Sequence, residues 1–151
     1  MAFLVALHQY EEAQDEELSS AELLPFQAVV SSGDLRPRSH EGVEFQHRWT
    51  DGGVVVECDF NGGDLLHLAI AGCVLNDVHR EAERLGVRVD GVRVAATGDL
   101  DRETWRSQGI SYQVEVSSSA DDEDIERLLQ VVDDVAEIPK AFRSGGPVQR
   151  T

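Results

Sequence analysis

The hydrophobic positions of the chain change rhythm along its length, and each change marks an element. Residues 43–49 alternate, with Val43, Phe45, His47 and Trp49 on one side and Glu44, Gln46 and Arg48 on the other. Asp51-Gly52-Gly53 is a hairpin signal, and residues 54–60 then alternate as a second strand with Val54, Val56, Cys58 and Phe60 on one face. Upstream, residues 26–30 read as a strand and 31–42 as a polar loop carrying Arg36 and Arg38. The rhythm breaks at residues 61–85. After Asn61-Gly62-Gly63-Asp64 the chain is apolar on almost every helical position as far as Leu75 and charged thereafter. That predicts a helix over 63–85 whose first half is buried and whose second half reaches the surface, stopped by Gly86.

Two further strands are predicted at 92–97 and 110–116, joined by a polar connection. Ser117 to Ser119 and the acids after them start a second helix, with Ile125, Leu128, Leu129, Val132 and Val135 as its apolar stripe, ending before Pro139. The tail is expected to add a short strand near Val148. Three strands, a buried helix, two strands and an amphipathic helix make an α+β fold, with a mostly antiparallel sheet and its helices on one side. Before this frame, residues 10–24 are helix-compatible and strongly acidic, and 3–7 form a short apolar run.

Composition narrows the function classes. The 151 residues carry 29 acids against 13 Lys and Arg, a formal net charge of −16. That excludes the basic patches of nucleic-acid binders and opposes anionic membranes. The acids cluster at 11–22 and 121–126, as solvated faces and helix starts do. Two cysteines, Cys58 and Cys73, make no disulfide framework, no C-x-x-C and no zinc-ligand spacing. No cofactor or metal is expected. The N-terminus lacks a basic region and a cleavage site, so the expectation is a soluble cytoplasmic protein with reduced thiols.

The run NGGDLLHLAIAGCVLNDV, then LGVRVDGVRVAATGDLD, an alternating strand, and ADDEDIERLLQVVDD with a following Pro resembles the OsmC/Ohr family of osmotically induced and organic hydroperoxide resistance proteins. The likeness spans roughly residues 26–148, which leaves 1–24 as an acidic extension and 25–151 as one OsmC-like domain. The resemblance implies an intertwined homodimer with the two Cys-bearing helices packed in the middle. It implies reduction of organic hydroperoxides by a peroxidatic cysteine on the central helix and a resolving cysteine on the next helix just before a Pro. An Arg from the loop between the first strands and a Glu before the central helix would support the thiolate.

Residue by residue, Cys73 takes the peroxidatic position. Ile138 stands where the resolving cysteine would be. Gly63 stands where the Glu would be, with Asp64 one position on, and either Arg36 or Arg38 is the candidate Arg. His67 and His79 each lie six residues from Cys73, about 120° around the helix, so neither is a same-helix acid or base partner, although His67 could approach the site of a second subunit. Asn76 and Asp77 follow Cys73 at i+3 and i+4. Phe45, Trp49 and Tyr112 are either pocket walls or sheet packing. The functional expectation is a one-cysteine thiol peroxidase reducing organic hydroperoxides through Cys73 with an external thiol reductant. The alternative is an OsmC-fold protein that binds or transforms a small apolar molecule by non-redox chemistry, using groups such as His67 and Asp64.

Overall fold

The computed structural model describes residues 25–39 and 41–151. The elements expected within residues 1–24 lie outside them. Five strands form one antiparallel sheet: β1 (Phe26–Gly33), β2 (Val43–Phe45), β3 (Val54–Glu57), β4 (Gly91–Leu100) and β5 (Ser107–Ser117), in the order β2-β3-β1-β4-β5. Three helices follow the same chain order: α1 (Gly62–Leu85), α2 (Asp122–Val135) and α3 (Glu137–Ser144). The expected α+β class and antiparallel sheet are what the chain adopts.

Register explains the core. Val30 of β1 faces Val56 of β3 on one side and Val94 of β4 on the other, and Val94 faces Val114 of β5. This row, with Val92 and Ala96, packs under Ala71, Val74, Leu75, Val78 and Ala82 of α1. Leu128 and Val132 of α2 complete the cluster and are fully enclosed. Each buried Val or Leu contributes roughly 1.5–3 kcal/mol of burial free energy.

The ends of α1 are fixed by local chemistry. The Asn61 side chain accepts from the backbone N–H of Asp64 at 2.8 Å. Gly86 closes the helix at φ 68, where its lack of a Cβ costs nothing, and its N–H reaches the carbonyls of Ala82 and Glu83.

Several details depart from the sequence expectation: β1 runs on to Gly33, and β2 spans only Val43–Phe45 instead of reaching residue 49. The second half of α1 reaches the surface at Asn76, Glu83 and Arg84 but buries Asp77, His79 and Glu81, which are 3%, 7% and 6% exposed, while Ala69 in the apolar half is open. Guanidinium partners and a buried hydroxyl make that burial tolerable. The third strand stops at Glu57, leaving Phe60 94% exposed. The polar connection is shorter than expected because β4 and β5 extend into it, and Trp105 at their hairpin tip has φ 57. Finally, no strand forms near Val148, which is fully exposed; the tail folds instead as α3, with Pro139 in its first turn.

Candidate active site

Cys73 lies midway along α1, half-buried. Its Sγ is 3.9 Å from Asp77 Oδ2, one helical turn on, and 3.7 Å from Glu137 Oε2 at the start of α3. Arg80 bridges both acids, at 3.1 Å from Asp77 and 3.2 Å from Glu137, and also reaches Glu81 at 3.3 Å. Arg84 holds the other oxygen of Glu81 at 2.6 Å.

Opposing influences act on the thiol. Burial raises its pKa most, and the Asp77 and Glu137 carboxylates raise it further. The backbone N–H groups of Ile138 and Glu137 point at the sulfur and lower it, the contribution expected of a helix N-terminus. The balance keeps Cys73 protonated near neutrality. Asp77 is also shifted up, chiefly by burial, with Arg80 opposing. Cys73, Asp77 and Glu137 offer three donor atoms within 4.8 Å of one another, which makes them the metal-capable group among the described residues; Arg80 already bridges the two carboxylates.

The other residues singled out in the sequence go elsewhere. Arg36 donates to the carbonyl of Gly52 and, with Arg38, lines a separate polar cavity of about 590 Å³ beside Glu41 and Glu44. Asp64 ties α1 to β1: its Oδ1 accepts from Gln27 N–H at 2.8 Å and its Oδ2 from Asn61 Nδ2 at 2.7 Å. His67 is 1% exposed and its Nδ1–H donates to Gly63 O at 2.7 Å. Its Nε2 has no partner among the described residues and lies against Gly98. Within one chain, none of these four contacts the thiol in the structure. Cys58 has Asp59 and Asp64 as its charged neighbours, at the N-terminal end of α1. Nine residues of helix, about 13.5 Å along the axis, separate Asp64 from Cys73.

Sequence reasoning missed Arg80, Glu81 and Glu137. The i, i+4, i+7 spacing of Cys73, Asp77 and Arg80 was a signal for the first of these. Glu137 carried none, because it reaches Cys73 only through the fold.

Beside this cluster an open cleft of about 420 Å³ runs between α1 and the β2–β3 hairpin. Its α1 wall includes Leu68, Ala69, Gly72 and Asn76, and its hairpin wall includes Phe45, His47, Trp49 and Val54. Two contacts pin the hairpin to the helix. His47 Nε2 is hydrogen-bonded to Asn76 Oδ1 at 3.0 Å, and Trp49 Nε1 donates to Glu83 Oε2 at 3.3 Å. Phe45 and Trp49 are thus pocket walls, whereas Tyr112 packs on the core and donates to Asp133. At about 100° per residue, Cys73 lies about 40° from Ala69 and about 60° from Asn76, so the thiol borders the same strip of α1 that floors the cleft.

Behind the cleft, His79 Nε2 pairs with the enclosed Ser32 Oγ at 2.8 Å. Burial, with His47 nearby, pushes His79 down to about 4. A histidine held neutral in the fold supports stability above its unfolded pKa and withdraws that support as the pH falls. Acidification from pH 6.5 toward 4 is therefore expected to cost about 2–3 kcal/mol from this residue. Asp77 works in the opposite sense at the acid end. Urea midpoints across this window check the point: His79→Gln should flatten the dependence, and an unchanged slope would remove His79 as its cause.

The α+β order has counterparts among known proteins. A family model described as OsmC-like protein matches residues 54–150. The chain belongs to the OsmC-like family. Its fold is similar to that of an OsmC-like hydroperoxide resistance protein from Jannaschia sp. CCS1, at TM-score 0.50 and 10% identity, covering 82% of this chain and 91% of that one. No curated protein matches it. In this OsmC-like chain Ile138 does lie beside Cys73, its backbone N–H aimed at the thiol, so the residue standing where the resemblance places a resolving cysteine is near the sulfur but carries none. Among the described residues, no helix is long and apolar enough to cross a membrane.

Proposed function

We infer that this OsmC-like protein reduces organic hydroperoxides at Cys73, with the apolar body of the substrate seated in the α1–hairpin cleft. The reading is carried by the placement of a half-exposed thiol about 40° around α1 from Ala69 and about 60° from Asn76, which line the apolar cleft although Cys73 itself does not. The similarity to a hydroperoxide resistance protein supports it. In the step itself the Cys73 thiolate attacks the outer peroxide oxygen. The O–O bond breaks, the alcohol leaves after taking up a proton, and Cys73 becomes a sulfenic acid. Cys58 sits toward the other end of α1, so an external thiol must restore Cys73. A homodimer belongs to the same proposal, as does a cytoplasmic setting that supplies the thiol.

The test is the intact mass of reduced protein after brief exposure to one equivalent of cumene hydroperoxide. A gain of about 16 Da, or a thiol adduct, that is absent from Cys73→Ser is expected. A loss of about 2 Da would instead make Cys58 the resolving partner. No change over minutes would sink the reading. The carboxylates at Cys73 favour one second reading, in which the cleft binds an apolar small molecule and the thiol stays protonated and unreactive. Saturable binding of a hydrophobic fluorophore, displaced by apolar ligands and unaffected by Cys73→Ser, with no peroxide consumption, would establish it.

A further inference from the structure

The groups around Cys73 bear on its second substrate more than on its first. A hydroperoxide is neutral and indifferent to nearby charge, but a thiol reductant need not be. Two acids stand at the sulfur, Asp77 Oδ2 at 3.9 Å and Glu137 Oε2 at 3.7 Å. Their cluster holds three carboxylates, Asp77, Glu81 and Glu137, against two guanidiniums, Arg80 and Arg84, so one negative charge is left over. Arg84 is committed to Glu81 and Arg80 to all three acids, and the sulfur's own contacts are the carboxylates. Glu137 is the accessible member, with 65% of its side chain exposed, so an approaching molecule meets it first. The whole-chain charge of −16 adds a field of the same sign.

We propose that Asp77 and Glu137 select the external reductant by charge, so that oxidised Cys73 is regenerated by a thiol bearing an ammonium group and not by an anionic thiol. The cation pairs with Glu137 while its sulfur attacks Cys73. The sulfenic acid and one thiol give a mixed disulfide and water. A second thiol then releases Cys73–SH and leaves as the oxidised disulfide. The two electrons taken by the peroxide come from the two external thiols. This rests on the reading of Cys73 as the peroxide-reducing residue, and the test is chosen to fail separately from it.

Cys58→Ser protein is treated with methyl methanethiosulfonate, which caps Cys73 as its S-methylthio disulfide without peroxide. Release of the cap is then followed with cysteamine, 2-mercaptoethanol and 3-mercaptopropionate. Each rate is divided by that of the same thiol on capped N-acetylcysteinamide, which removes intrinsic reactivity. The expected order is cation above neutral above anion, with about tenfold between the extremes at low salt, collapsing to about twofold in 1 M NaCl as the Debye length shrinks. Glu137→Gln should lose most of the preference, and Asp77→Asn with it the remainder. Because Asp77 is buried, the exposed Glu137→Gln variant and the salt series decide the matter if the double variant unfolds. Equal normalised rates, or a preference that survives both Glu137→Gln and high salt, would overturn the proposal. So would failure of Cys73 to accept so small a cap. Mass change with cumene hydroperoxide is read independently, so a charge-selective cap release without sulfenate formation would retain the electrostatics and reject the peroxidase.

Discussion

Raising the pH from 7 to 9 is expected to accelerate the reaction of Cys73 with cumene hydroperoxide about a hundredfold. Only the thiolate attacks the peroxide, and burial together with Asp77 and Glu137 places the thiol pKa above its ordinary value of 9.0. Below that pKa the thiolate fraction grows tenfold for each pH unit, so the whole interval lies on the rising limb. The sign follows from which neighbours prevail: two N–H groups lower the pKa, while desolvation and two carboxylates raise it. Stopped-flow rates in a Cys58→Ser background isolate the residue. Glu137→Gln removes one of the raising charges and keeps the backbone donors, so it should shift the profile to lower pH and speed the reaction several-fold at pH 7. A rate that is flat from pH 7 upward would mean that the thiol is already ionised and that its acids do not govern it.

The same cluster shows which parts of the fold are legible in the sequence and which are not. A strand such as β5 declares itself because antiparallel pairing with one packed face imposes alternation. The caps of α1 are equally local, since Asn61 and Gly86 act on groups within four residues. The acids of α1 are not legible in this way. Asp77 and Glu81 read as surface because a charge in a helical pattern usually is, and their burial depends on Arg80 and Arg84 folding over them. Helix α3 was hidden by Pro139, which reads as a stop. In the structure it stands in the first helical turn, where its missing N–H leaves no bond unmade. The contact between Cys73 and Glu137 spans 64 positions, and no periodicity encodes a distance of that kind.

Position 63 gives the second large effect. The resemblance places a glutamate there, and the chain has glycine. A Cβ on Gly63 would stand 2.1 Å from Cδ1 and 2.2 Å from Cε1 of Phe26. Moving that ring would give up its contacts with the guanidinium of Arg102, 5.4 Å from its centroid, and with the ring of His67 at 6.0 Å. Gly63→Glu is therefore expected to destabilise the fold by about 2–4 kcal/mol, as overpacking does. Gly63→Ala should cost nearly as much, since the clash arises at Cβ. Shortening the opposing ring should relieve it, so that Phe26→Ala combined with Gly63→Ala costs less than the sum of the two by about 1 kcal/mol or more. Denaturant melts of the four proteins close the cycle. Gly63→Ala melting with wild type would show that the ring yields and that glycine was not required. The rate at Cys73 should not rise in Gly63→Glu, because ten residues of helix put position 63 about 15 Å along the axis from the thiol of its own chain. A rise would mean that a glutamate at 63 meets the thiol of a second copy, and would make the packed dimer the site of the chemistry.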